Sequence, residues 1–231
     1  MKHLVKLMCS LAVAMFLIAV SVGATVIADW TFETSYGSIT GSSTSLGPLS
    51  PEVGAGSAFG VHANISDWDA YYGNGSMYSF CVNNWSVGDY YQFQVDTFGL
   101  TGISIDWDQT GSYTAPADFV LQYSNDGSTY TTFGSQYSVL LYNQPSWRPT
   151  SGSTNYHFTC DLSSVDASVG NQATAYFRLV ANSDVAINGD VVGENGVIRI
   201  DNFTVSGVPE PSTVILAGLG LVALMAIRGR S

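Results

Sequence analysis

Lysine is missing from everything after Lys6, and the 231 residues carry only seven basic side chains in all. Four of these, Lys2, Lys6, Arg228 and Arg230, sit at the two ends. Between Thr25 and Val208 only Arg148, Arg178 and Arg199 face 17 acids, a formal charge of −14. Such a body repels nucleic acid and anionic lipid, so neither is an expected partner. Cysteine is scarce too: Cys9, Cys81 and Cys160 form no CxxC pair that would hold zinc. There is no GxSxG, no HExxH and no Walker loop, and the only histidines beyond the N-terminus are His62 and His157. Long hydrophobic runs are confined to the two ends.

At the N-terminus, Lys2 and Lys6 precede an apolar stretch from Leu7 to Val20 and then the small residues "SVGA". This order predicts a secretory signal over residues 1–24, cut by signal peptidase after Ala24. Cys9 leaves with it. The exported remainder keeps Cys81 and Cys160, a candidate disulfide, although lone strand cysteines are as often buried apolar residues.

Between Thr25 and Gly207 the pattern is of strands, with Gly, Asn, Asp and Ser between the runs. "DYYQFQVDT" places Tyr91, Phe93 and Val95 on one face, "GISIDWDQ" places Ile103, Ile105 and Trp107, and "DFVLQYS" places Phe119, Leu121 and Tyr123. The "NDG" that follows is a hairpin turn. About ten short strands predict an all-β domain over 25–207, a two-sheet antiparallel β-sandwich of the jelly-roll kind. In the last run Ile198 and Ile200 share one parity and Phe203 and Val205 the other. A β-bulge at Asp201 and Asn202 would absorb that slip and re-aim the Asp201 carboxylate; the alternative is a last strand buried on both faces, which needs no strict alternation.

Two stretches could carry chemistry. In "DWDAYYGNGS", read as a loop, Trp68, Tyr71 and Tyr72 stand among polar groups and are candidates for stacking on a sugar ring. The paired acids Asp67 and Asp69, and Asp106 and Asp108, could supply glycosidase carboxylates or metal oxygens, but alternate acids on a strand also simply share its solvent face.

The C-terminus reads "VPEP", then 15 uncharged residues from Thr213 to Ile227, then "RGR". As a helix that run reaches ~22 Å, short of a ~30 Å hydrocarbon core, a marginal anchor. Pro209 and Pro211 hold Glu210 in extended backbone that a peptidase can grip. The order of these parts resembles the PEP-CTERM sorting signal of Gram-negative bacteria, here over 208–231. The resemblance implies a sorting motif at Pro209, Glu210 and Pro211, a hydrophobic helix and a basic end at Arg228 and Arg230 on the cytoplasmic side. It also implies an exosortase that processes the tail after transient inner-membrane anchoring and passes the chain to the cell surface or extracellular matrix.

The segments "ADWTFE", "FVLQYSNDGSTYT", "YFRLV" and "RIDNFTVSG" resemble β-sandwich domains of such exported proteins and, more distantly, jelly rolls of the MAM and carbohydrate-binding-module type. By position this implies Glu33 and Asp201 as candidate ligands of a structural calcium. The functional expectation is a non-enzymatic surface or matrix protein associated with extracellular polysaccharide. The alternatives are a carbohydrate-binding module and a polysaccharide hydrolase.

Overall fold

The computed structural model describes residues 23–143 and 146–210. They form an all-β domain of 13 strands. The chain runs β1 (Thr25–Trp30), β2 (Gly41–Leu49), β3 (Val53–Gly54), β4 (Ser57–Tyr71), β5 (Ser79–Val82), β6 (Tyr90–Val95) and β7 (Leu100–Gly111). It continues through β8 (Asp118–Ser124), β9 (Thr131–Ser138), β10 (Leu140–Leu141), β11 (His157–Asp161), the single-turn helix α1 (Asp166–Val169), β12 (Ala175–Ala181) and β13 (Ile198–Pro209).

Hydrogen bonds join the strands in the order β10-β7-β13-β5-β4-β6-β12-β8-β9, with β1 and β11 added along β13 and β7. The two layers of the sandwich are therefore continuous, and β4 is the strand they share. Its first half pairs with β6 from Ser57 to Val61, and its second half pairs with β5 from Trp68 to Tyr71. All pairs are antiparallel except the short β10–β7 contact, which is parallel.

Alternation along the strands supplies the core. Tyr91 and Phe93 of β6 and Phe177 and Leu179 of β12 point inward from one layer; Ile103 and Ile105 of β7 and Phe203 and Val205 of β13 point inward from the other, all fully buried. The layers meet where Phe93 stacks on Phe203 at 3.4 Å between ring centres, with Trp30 edge-on to both. Aromatic pairs of this kind add to the burial of their own large apolar area. The parity slip in β13 is a bulge: its register against β7 shifts between Asp201 and Thr204, and Asn202 takes a left-handed φ of 49°. That is a conformation asparagine accepts more readily than β-branched residues.

Val208 and Pro209 are the last residues of β13, paired with Thr101 and Leu100 of β7. One expectation is corrected at the C-terminus. The hydrophobic helix expected to flank the sandwich, and with it the transmembrane character and transient inner-membrane anchoring, finds no support, because among the described residues no helix is long and apolar enough to cross a membrane. Pro211, the apolar run, Arg228 and Arg230 lie outside the described residues, as do residues 1–22 of the expected signal.

Candidate functional site

The second half of β4 brings the predicted aromatic stretch into the sheet rather than into a loop. Asp67, Asp69 and Tyr71 lie two residues apart and point outward, while Trp68 between them is buried in the core, 3% exposed, its Nε1 donating to the Ser43 carbonyl at 3.1 Å. Trp68 is thereby withdrawn from any surface site. Tyr71 and Tyr72 remain about half exposed, at 49% and 51%, with their rings edge-to-face.

Register builds the site across four strands. Asp69 lies opposite Cys81 of β5, Cys81 opposite Arg199 of β13, and Arg199 opposite Thr110 of β7. Arg199 then reaches between two aromatic rings. Its Cζ is 4.6 Å from the centre of Tyr71 and 5.2 Å from that of Tyr142, which follows β10. Cation–π attraction of this kind fixes a long, flexible side chain on a sheet face. Together with Asp67, Asn83 and Ser112, the side chains of Asp69, Tyr71, Cys81, Tyr142 and Arg199 line a depression of about 310 Å³.

Its polar groups are of both signs. Asp67 is engaged by the Ser42 hydroxyl and the Asn83 amide, and Asp69 accepts from the Ala70 N–H. Every ion pair among the described residues involves His62 or His157, so Arg199 has no carboxylate partner. Cys81 is no nucleophile: burial pushes its thiol up to about 12, against the opposing pull of Arg199. Both Cys81 and Cys160 are free thiols, so the candidate disulfide is not formed. They pair with different parts of the sheet, Cys81 opposite Arg199 and Cys160 opposite Ile105.

A second polar cluster lies where the bulge turns Asp201 inward. Asp201 is fully buried, and its Oδ2 accepts from the Asn74 backbone N–H at 2.8 Å and from the Ser76 hydroxyl. The Asn202 backbone N–H donates to its Oδ1. Asp108 accepts from the side-chain amides of Asn74 and Asn202, at 3.0 and 2.8 Å. His157 lies 3.0 Å from Asp108 and 3.5 Å from Asp106. The network pins the 72–78 loop onto the end of the sandwich.

These residues do not fit a bound calcium. A cation needs carboxylate lone pairs free to face it, whereas those of Asp201 face N–H and O–H donors, and Glu33 accepts the Tyr78 N–H at 2.8 Å. Among the described residues no group of three or more His, Cys, Asp or Glu could hold a metal ion.

Comparison with known proteins gives one family match. Residues 207–231 match the PEP-CTERM protein-sorting motif, so the chain carries that motif at its C-terminus. No curated protein sequence matches the chain. Among solved structures, the chain is similar to a family 29 carbohydrate-binding module from Piromyces equi, with 10% identity over 81% of this chain and 91% of that one, at a TM-score of 0.38. It is similar to a structure described under "CBM4 structure and function", with 12% identity over 78% and 84% of the two chains and a TM-score of 0.35. It is also similar to the K1 cleaved adhesin domain of Lys-gingipain from Porphyromonas gingivalis W83, with 10% identity over 79% and 97% and a TM-score of 0.36.

Proposed function

We propose that this protein is an exported carbohydrate-binding module, directed out of the cell through its C-terminal sorting motif, and that it holds a neutral glycan in the depression around Arg199. One observation carries the reading: Arg199 is held between Tyr71 and Tyr142 with no carboxylate partner among the described residues, while Asp69 lies two strands away in the same row. A pyranose ring offers an apolar face and vicinal hydroxyls that both donate and accept. The exposed part of Tyr71 supplies a stacking surface, the Arg199 N–H groups supply donors, and Asp69 supplies acceptors. Two acids beside one arginine leave the depression with a net negative charge, which favours a neutral sugar over an acidic one.

The handling of the chain belongs to the same reading. Signal peptidase removes the N-terminal segment, an exosortase acts on the tail, and the module comes to rest among extracellular polysaccharide as a non-enzymatic surface or matrix protein. For hydrolysis, two carboxyl groups would have to face one sugar bond, but Asp67 is already tied to Ser42 and Asn83.

A panel of neutral oligosaccharides titrated against the full chain tests the binding. Wild type is expected to bind at least one of them, and Tyr71→Ala to weaken that binding about tenfold with its melting temperature unchanged. Absence of binding to every neutral glycan, or binding indifferent to Tyr71→Ala and Arg199→Gln together, would overturn it.

A further inference from the structure

The outer face of the other layer has a different chemistry. Where Tyr91, Phe93, Phe177, Leu179 and Leu121 turn inward, the residues between them form rows across the strands. The central row runs from Phe59 of β4 through Gln92 of β6, Arg178 of β12 and Gln122 of β8 to Thr132 of β9. The row on one side passes through Gln94 and Tyr176, and the row on the other through Tyr90 and Val180. None of these rows contains an acid, on a body that carries 17.

Arg178 sits at the centre of that face in a fixed pose. Its Cζ lies 3.9 Å from the Tyr90 ring centre and 3.4 Å from the Tyr130 ring centre. Two rings that close to one carbon must cover opposite faces of the guanidinium, leaving its edge. The Nε–H donates to Gln92 Oε1 at 2.8 Å, and the Tyr130 hydroxyl donates to the same oxygen at 2.9 Å. No carboxylate pairs with Arg178 among the described residues. Asp126, the acid whose charge reaches Tyr130, is turned into the β8–β9 hairpin, where it accepts from the Ser128 and Thr129 N–H groups.

We infer that this face is a second glycan site, specific for a sugar bearing a carboxylate, with Arg178 as its anchor. The terminal N–H groups of a planar guanidinium match a carboxylate in a two-point contact. Ordering such a side chain before the ligand arrives lowers the entropy lost on binding. Gln122, beside it in the row, carries an amide suited to ring hydroxyls, and Tyr176 offers an aromatic surface. The central rows bear one cation and no acid, and Asp118, the next outward residue of β8, is engaged by the Ser138 hydroxyl, so the centre of the face favours a uronate, whereas the depression around Arg199 disfavours it. The inference thus stands apart from the neutral-glycan reading and survives its failure.

Titration of the full chain with a tetramer of galacturonic acid, and with the corresponding tetramer of galactose, tests it. Wild type is expected to bind the acidic tetramer more tightly than the neutral one, with affinity falling as salt is raised. Arg178→Gln is expected to weaken it at least about tenfold, while Tyr71→Ala leaves it unchanged. If Arg178→Gln does not fold, Tyr130→Ala, at the rim of the hairpin and outside the core, is expected to give the same loss. Three results would overturn the inference: no binding of the acidic tetramer by wild type, equal binding by a folded Arg178 or Tyr130 variant, or loss of its binding in Tyr71→Ala alone.

Discussion

Asp201 and Asn74 stand 127 residues apart in sequence and meet at 2.8 Å, the Asn74 backbone N–H donating to the Asp201 carboxylate. The bond closes the 72–78 loop against β13, and it sits on a group whose protonation is unusual. Burial raises the Asp201 pKa to about 7, with Asp108 adding to the rise and the Ser76, Asn74 and Asn202 donors opposing it. His157 and Asp106 are the other titratable groups of the cluster.

The direction of the pH dependence follows. Between the ordinary carboxylate range and about 7 the folded protein holds a proton that the unfolded chain has released. This contribution is therefore greatest below the ordinary carboxylate range, declines at a limiting slope of about 1.4 kcal/mol per pH unit as pH rises towards about 7, and changes no further above it. Urea unfolding from pH 5 to 8 should show it, and Asp201→Asn should flatten the profile. A wild-type profile that rises over that range would show the donors outweighing burial.

Trp68 and Tyr71 separate stability from binding. Trp68 is enclosed by His62 and Phe80, with ring centres at 5.0 and 5.5 Å, so Trp68→Ala is expected to cost about 3–5 kcal/mol of stability through the cavity it leaves. Tyr71→Ala should leave stability within about 0.5 kcal/mol. Denaturant titration of both variants decides the matter; equal losses would mean that Tyr71 belongs to the core.

How much of this was legible in the sequence depends on the range of the signal. Period-2 alternation marked Tyr91, Phe93, Ile103, Ile105 and Phe119 as core residues, because facing is a local property of a strand. The broken parity at Asp201 and Asn202 marked the bulge for the same reason. Asp67 to Tyr71 read as a loop because Gly73, Asn74 and Gly75 follow closely. In the fold those residues end a 15-residue strand that passes from one layer to the other.

Tyr142 carried no local signal, since it joins the site only through the parallel contact of β10 with β7. Arg178 and Arg199 did carry one. They are two of only three cations in an acidic body, and their significance appears once register places each among tyrosines.

The thiols provide an independent check on the sheet. Burial raises Cys81 to about 12 and Cys160 to about 11, so neither is appreciably thiolate at pH 8. An aromatic disulfide reagent should label Cys81 only on unfolding, and a reductant should leave the melting temperature unchanged. A drop on reduction would mean that the two sulfurs are bridged in the secreted protein.

The end of β13 constrains where the proposed cleavage of the tail would fall. Val208 and Pro209 pair with Thr101 and Leu100, and the Glu210 N–H donates to the Gly99 carbonyl at 2.9 Å. A peptidase needs its substrate strand unpaired and extended, so cleavage before Glu210 would require stripping these contacts from β7. Cleavage beyond Glu210 leaves the sheet whole. The intact mass of protein recovered outside its native cells is therefore expected to correspond to a chain ending at or after Glu210 and lacking Arg228 and Arg230, while Glu210→Ala keeps the tail. A mass ending before Val208 would show that the last rungs of β13 open during processing. Wild type and variant both retaining the tail would remove the exosortase from the proposed function and leave the two glycan-binding faces to be judged on their own.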